Sequence, residues 1–217
     1  MNIAGHHGQK KHKKGDILPQ LILSSKQNVI ALELDIQHTK DNFIVVYHDK
    51  STPNGQSVNN STYKDLLTEL PHLHKLSEIF STLPNQHFYL ESKTNGTIAK
   101  SLKLLKKRQN YAVASFCKDE ILATKIHLPH VNTFLLQHYH PFGIVKKAID
   151  AQSNGIAINK NWLIILPYYY WQCRRNKLDI YTYTLNAPWI SKFINKTMPK
   201  IIICTDNPKD VLKTNEK

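Results

Sequence analysis

The stretch ALELDIQHTKDNFIVVYHD, residues 31–49, decides how this chain folds. Its first seven residues have the composition of a buried β-strand, yet Glu33 and Asp35 stand in the middle of it. Side chains two apart on a strand share a face, so both carboxylates point one way while Leu32, Leu34 and Ile36 point the other. That arrangement suits a closed barrel wrapped by helices: the apolar set meets the helices, and the acids open inward near the strand's C-terminal end. Two carboxylates held there repel one another and lose water, which costs several kcal/mol unless a cation or hydrogen-bond donors compensate.

The pattern continues on both sides of this stretch. Short β-branched or aromatic runs at 2–5, 31–37, 87–93, 111–116, 133–138, 155–159, 179–185 and 201–205 predict eight strands. A helix is predicted over 97–109, where Ile98, Leu102 and Leu105 make an apolar stripe opposite lysines, and others from about Leu18, Leu76, Asp119, Phe142, Leu163, Ala187 and Pro208. Asn186 before Ala187-Pro188 and Asn207 before Pro208 have the form of N-caps followed by a first-turn proline. Strand and helix alternation implies a parallel α/β sheet, either open and doubly wound or closed. The count of eight, with a short extra run at 43–48 after the second strand, favours a (β/α)8 TIM barrel. A chain of 217 residues matches the size of one such domain spanning 1–217, with a small insertion at about 49–75.

A formal charge of +13 draws anions, whether phosphates, nucleic acid or acidic lipid headgroups, and is compatible with weak association with anionic membranes. The densest basic run is Lys10 to Lys14, read either as a solvated arm or as an anion trap. Basic and aromatic residues meet only at YYYWQCRR, 168–175, which is read as a helix packed on the barrel, so no nucleic-acid partner is expected. Cys117, Cys173 and Cys204 are too few and too far apart for a disulfide framework or a zinc site. No apolar run reaches the roughly 18 to 20 residues of a membrane span. The first residues lack the apolar segment of a secretory signal, so a cytoplasmic location is expected.

The chemistry gathers on a few residues. A later strand repeats the inward acid with Glu91 and Lys93, and a third carboxylate at the same mouth would complete an oxygen-rich site suited to one divalent cation, Mg²⁺ or Ca²⁺. The alternative is that lysines neutralise the acids. His6 ends the first strand and His48-Asp49 ends the 43–48 run, so both imidazoles rise to that mouth. Two histidines beside three carboxylates are the parts needed for metal-assisted cleavage of a phosphate ester.

Taken in order, His6-His7-Gly8, Glu33-Leu34-Asp35, Gln37-His38-Thr39-Lys40-Asp41, His48-Asp49 and Glu91-Ser92-Lys93 resemble the motifs of the glycerophosphodiester phosphodiesterase family. The likeness extends to STPNGQSVNNSTYKDL (51–66), HKLSEIF (74–80), YTLN (183–186) and CTDNP (204–208). It implies a TIM barrel that hydrolyses glycerophosphodiesters to glycerol 3-phosphate and an alcohol. Glu33, Asp35 and Glu91 would hold the cation, His6 and His48 would serve as general acid and base, and His7, Lys93 and Tyr183 would contact the substrate.

The resemblance has departures. The family's arginine after the first histidine is His7 here, read as an imidazole mostly neutral at pH 7. The Pro-Glu-Asn that opens the first helix is Lys14-Gly15-Asp16, and a common tryptophan is Tyr183. These losses also suit a weakened barrel that only binds phosphorylated ligands, and loop variation leaves room for a phospholipase D-like relative acting on lysophospholipids. Lys13 and Lys14 are expected to supply the positive charge the arginine gave. A Lys13→Ala, Lys14→Ala double variant should therefore raise KM for a glycerophosphodiester more than it lowers kcat; steady-state kinetics with an unchanged KM would refute this.

Overall fold

A computed structural model describes residues 1–7, 15–138 and 142–213. Its strands are β1 (Asn2–His6), β2 (Ala31–His38), β3 (Ile44–Val46), β4 (Phe88–Ser92), β5 (Tyr111–Ser115), β6 (Asn132–Gln137), β7 (Gly155–Asn159), β8 (Asp179–Tyr183) and β9 (Ile202–Thr205). All but β3 run parallel in the order β1-β9-β8-β7-β6-β5-β4-β2, and pairing of β1 with β2 closes the ring. The result is an eight-stranded (β/α)8 barrel. β3 folds back antiparallel on the end of β2, with Gln37 opposite Val45.

Helices α1 (Leu18–Ser25), α3 (Leu76–Thr82), α4 (Thr97–Leu105), α5 (Lys118–His127), α6 (Ile144–Asp150), α7 (Leu166–Arg175), α8 (Pro188–Thr197) and α9 (Pro208–Lys213) follow the barrel strands, and a 3₁₀ turn, Lys160–Ile165, precedes α7. The short α2 (Tyr63–Leu67) lies in the insertion between β3 and α3, where Val58, Leu66 and Leu73 close over Val45 as a small satellite core. Among the described residues no helix is long and apolar enough to cross a membrane.

Strand alternation sorts the core into two shells. Outward residues such as Leu32, Leu34, Ile36, Leu90 and Val113 pack against the helices. Inward residues are small or aromatic: Ala4, Ala31, Ala112 and Ala157 leave room for Tyr89, Phe134 and Tyr181, whose rings lie 5.1 to 6.0 Å apart and fill the barrel's lower half. This plug leaves the polar groups only the C-terminal mouth.

Two expectations change. Asn186 does not cap α8, whose N-cap is Ala187; its side chain instead bonds Thr205 and Asp206 across the barrel mouth. In the 168–171 aromatic run only Tyr169 is buried against the barrel, while Tyr168 and Trp171 stay half exposed because they lie on the helix's outer side. Cys173 and Cys204 are buried free thiols and Cys117 is partly buried.

Gly155 makes the aromatic plug fit. A Cβ there would stand 2.7 Å from the Phe134 ring and 2.6 Å from the carbonyl oxygen of Asp179, a backbone atom that cannot swing away. Gly155→Ala should therefore destabilise the fold by about 1–3 kcal/mol, the usual cost of overpacking, measurable as a lowered urea midpoint with unchanged slope.

Candidate active site

Register builds the site. β1 pairs with β2 so that His6 stands opposite Glu33, and β2 pairs with β4 so that Asp35 stands opposite Glu91. Three inward positions on adjacent strands therefore bring Glu33, Asp35 and Glu91 together, each with an oxygen within 4.8 Å of the others, all buried. Lys93, expected to contact the substrate, has its Nζ 2.8 Å from Asp35 and also contacts Glu91, the pairing with lysine that was the alternative to a metal. His7 turns back over the cluster with φ +46°, its Nε2 2.6 Å from Asp35 and 3.5 Å from Glu33.

Electrostatics follow from this crowding. Burial and the neighbouring Asp35 charge push Glu33 up to about 8, and the same two causes push Glu91 up to about 7. Burial opposes charge on Asp35 as well, but His7 and Lys93 beside it hold its carboxyl well below the usual range. Burial also works against the His7 imidazolium, yet Asp35 and Glu33 overcome it and hold its pKa up to about 10. The acids that His7 faces thus favour its protonated ring, supplying what its intrinsic basicity lacks, where the sequence alone predicts a mostly neutral imidazole.

His6 is half-buried, and its Nδ1 donates to Asp206 Oδ1 at 2.7 Å, leaving Nε2 turned toward Glu33 at 3.9 Å. Burial lowers its pKa despite that bond. His48 sits at the rim, exposed, with Nδ1 2.7 Å from Asp49 Oδ1 and its ring 6.0 Å from that of His7. Tyr183 ends β8 beside this cluster; its hydroxyl is buried without a hydrogen-bond partner among the described residues, and burial together with the Glu91 charge raises its pKa. Lys13 and Lys14 lie outside the described residues. Asp16, in the place of the family's Pro-Glu-Asn turn, accepts from the Leu18 amide and from His74 Nε2, tying the start of α1 to the end of the insertion.

Three residues that position the site were given no role by sequence reasoning. Asp206 orients His6 and is itself held by Asn186, whose Nδ2 donates at 2.6 Å. Gln37, fully buried, donates to the carbonyls of Tyr47 and Asp49 at 2.9 and 2.7 Å and so clamps the backbone on either side of His48. The signal for both was available in the alternation: Gln37 continues the inward series of Glu33 and Asp35, and Asp206 that of Ile202 and Cys204. Glu120 on α5, buried, accepts from Ser92 Oγ and from the Gly96 and Ile98 amides at the start of α4, bracing the loop that follows Lys93; no sequence pattern marked it.

Among curated protein sequences none matches the chain. Among solved structures, a glycerophosphodiester phosphodiesterase from Parabacteroides distasonis superposes with a TM-score of 0.84 at 19% identity, covering 98% of this chain and 95% of that one. One from Thermotoga maritima superposes with a TM-score of 0.80 at 20% identity, covering 98% and 97%. A phosphodiesterase from Oleispira antarctica, in complex with the product sn-glycerol-3-phosphate, gives 0.83 at 16% identity, covering 100% and 97%. At such identities these likenesses establish the fold. The model of the glycerophosphoryl diester phosphodiesterase family matches residues 18–162, which include Glu33, Asp35, His48, Glu91 and Lys93. With two thirds of its length matched, the chain belongs to the glycerophosphoryl diester phosphodiesterase family and is by that membership a phosphodiesterase.

Proposed function

We propose that this protein hydrolyses small glycerophosphodiesters to glycerol 3-phosphate and an alcohol, acting in the cytoplasm as one domain, with His6 and His48 transferring protons and one divalent cation held by Glu33, Asp35 and Glu91. The observation that carries the reading is the strand register, which puts three buried carboxylates within 4.8 Å of one another next to an imidazole fixed by a carboxylate. The product in the Oleispira antarctica neighbour supports the substrate class.

The donor set fits a hard cation. It is all oxygen, as Mg²⁺ and Ca²⁺ prefer, and Glu33 Oε1 is buried without a hydrogen-bond partner among the described residues. When bound, the cation would act as a Lewis acid toward a phosphoryl oxygen. The chain's own residues do the rest. Lys93 sets a cationic group beside the carboxylates, where a phosphate would also be drawn. Asp206 takes the Nδ1 proton of His6 into a hydrogen bond, so in the neutral ring Nε2 carries the lone pair and accepts a proton from the glycerol 2-hydroxyl as it attacks phosphorus; water then opens the cyclic phosphate so formed, giving glycerol 3-phosphate. His48, fixed through Nδ1 by Asp49 and through its backbone by Gln37, gives a proton to the leaving alcohol from Nε2. Tyr183 offers its buried hydroxyl to the substrate.

Replacing His6 or His48 by alanine should lower kcat toward glycerophosphocholine by on the order of 10²-fold or more, with the circular dichroism spectrum unchanged. A loss below about threefold in either variant would favour a barrel that only binds phosphorylated ligands.

Titration gives a second test. Burial and the neighbouring Asp35 charge raise the pKa values of Glu33 and Glu91 to about 8 and 7 from their ordinary 4.5, and the facing acids, against burial, raise that of His7 to about 10 from its ordinary 6.5. The folded chain therefore binds more protons than the unfolded one across that range, and these groups make stability fall as pH rises through it. The depressed Asp35 acts only at pH values below this window. Glu33 and Glu91 would have to release those protons to hold a divalent cation. The rise in melting temperature on adding Mg²⁺ or Ca²⁺ to chelator-treated protein should be larger near pH 9 than near pH 6; equal rises at both would count against cation binding by this cluster.

A further inference from the structure

The carboxylates and histidines just assigned occupy one half of the barrel mouth, the half formed by β1, β2, β4 and β9, with Tyr183 at the end of β8 on its border. The other half has a different surface. Each of the four successive connections that leave β5, β6, β7 and β8 carries one large apolar side chain into solvent: Phe116, Phe142, Ile164 and Trp189, at 46, 73, 89 and 74% exposure. A single exposed apolar residue needs no explanation. Four on consecutive connections at one end of a barrel form a rim, and rims of this kind mark binding surfaces.

The same connections are basic. Lys118, Lys146, Lys160 and Lys192, all exposed, lie within four residues of the four apolar side chains. Against them, over the described residues from each strand end to the neighbouring lysine, stands no acid; the exposed Asp119 follows Lys118 directly, and Glu120 after it is buried and spent on the start of α4. The linkage between loops is direct: Trp162 Nε1 donates to the His138 carbonyl at 3.0 Å, Asn159 bonds the His138 ring, and Phe116 packs against that ring at 6.5 Å. The three connections after β5, β6 and β7 are thereby held as one surface.

We propose that this half of the mouth docks on an anionic lipid bilayer, with the four apolar side chains entering the headgroup region and the lysines pairing with lipid phosphates. The pairing of aromatic or aliphatic tips with flanking lysines is what an interfacial surface requires, since the apolar part leaves water while the cations stay at headgroup level. Charge decides the occupant. A second copy of this chain would bring a like net charge of +13 to the same face, whereas an acidic bilayer meets it with the opposite sign. Docking would hold the polar half of the mouth at the membrane surface, where phosphodiesters attached to or released from lipids are concentrated.

The test is co-sedimentation of the full chain with vesicles of phosphatidylcholine, with and without phosphatidylglycerol. Binding needs no turnover, so the outcome is independent of whether the protein hydrolyses glycerophosphodiesters. The protein should bind the phosphatidylglycerol vesicles and not the neutral ones. A Phe142→Ser, Trp189→Ser double variant should weaken binding by about tenfold or more, while Ile126→Ser, which removes an apolar side chain 72% exposed near the far end of α5, should bind like the parent. Absence of binding to the acidic vesicles would overturn the proposal, as would equal weakening by both substitutions. Sedimentation velocity supplies the remaining arm: a dimer in the parent that the double variant dissolves would assign the rim to self-association instead.

Discussion

Three carboxylates gathered in a water-poor barrel mouth are the constraint on which the rest of this structure depends. Each would lose hydration worth several kcal/mol on its own, and together they also repel. The fold supplies two cations, Lys93 and His7, and these divide the cluster unequally. Asp35 faces both and is held firmly ionised, while Glu33 and Glu91 are pushed toward neutrality. The same asymmetry is what a divalent ion would find: one committed negative charge and two carboxyls that ionise readily once positive charge arrives. A site neutralised fully by lysines would have nothing left to offer, whereas here one oxygen of Glu33 is buried with no hydrogen-bond partner among the described residues.

Geometry at the mouth is secured from behind. The aromatic plug of Tyr89, Phe134 and Tyr181 fills the lower barrel, so the strands above it are spaced by a packed core instead of by the charged groups. Asn186 and Asp206 link the ends of β8 and β9 to His6 on β1, and Gln37 fastens the His48 loop to β2. Glu120 reaches from α5 to the loop after β4, and Asn59 from the insertion donates to the His38 carbonyl and to Thr94. Residues that would touch substrate are therefore fixed by side chains from other elements, which is how a mouth built of loops holds positions set by strands.

Much of this was legible before any coordinates. Period-two alternation in residues 31–37 states which side of the strand is acidic, and counting eight such segments states the closure, because both are local rules that tertiary packing here obeys. What was not legible were pairings between distant segments. Asn186 has the form of a helix cap, and local propensity favours that reading, but the neighbouring strand end offers a buried carboxylate that a cap would leave unheld. Tyr168 and Trp171 look like barrel-packing residues until the helix phase, set by burial of Leu166, Tyr169 and Cys173, turns them outward. The shift of His7 is hidden for the same reason: intrinsic basicity is a property of the residue, and its upward shift here is a property of Asp35 and Glu33.

The last point bears on how this chain departs from its family. An arginine in the place of His7 would be charged whatever surrounded it, and would need no carboxylate to remain so. Asp35 and Glu33 are what favour the protonated ring of His7, so its charge and the charge of the carboxylate cluster are coupled. Any positive species that engages Asp35 and Glu33 competes with the imidazolium for the same oxygens and thereby frees the ring to lose its proton. The substitution converts a fixed positive group into one that responds to what occupies the neighbouring carboxylates.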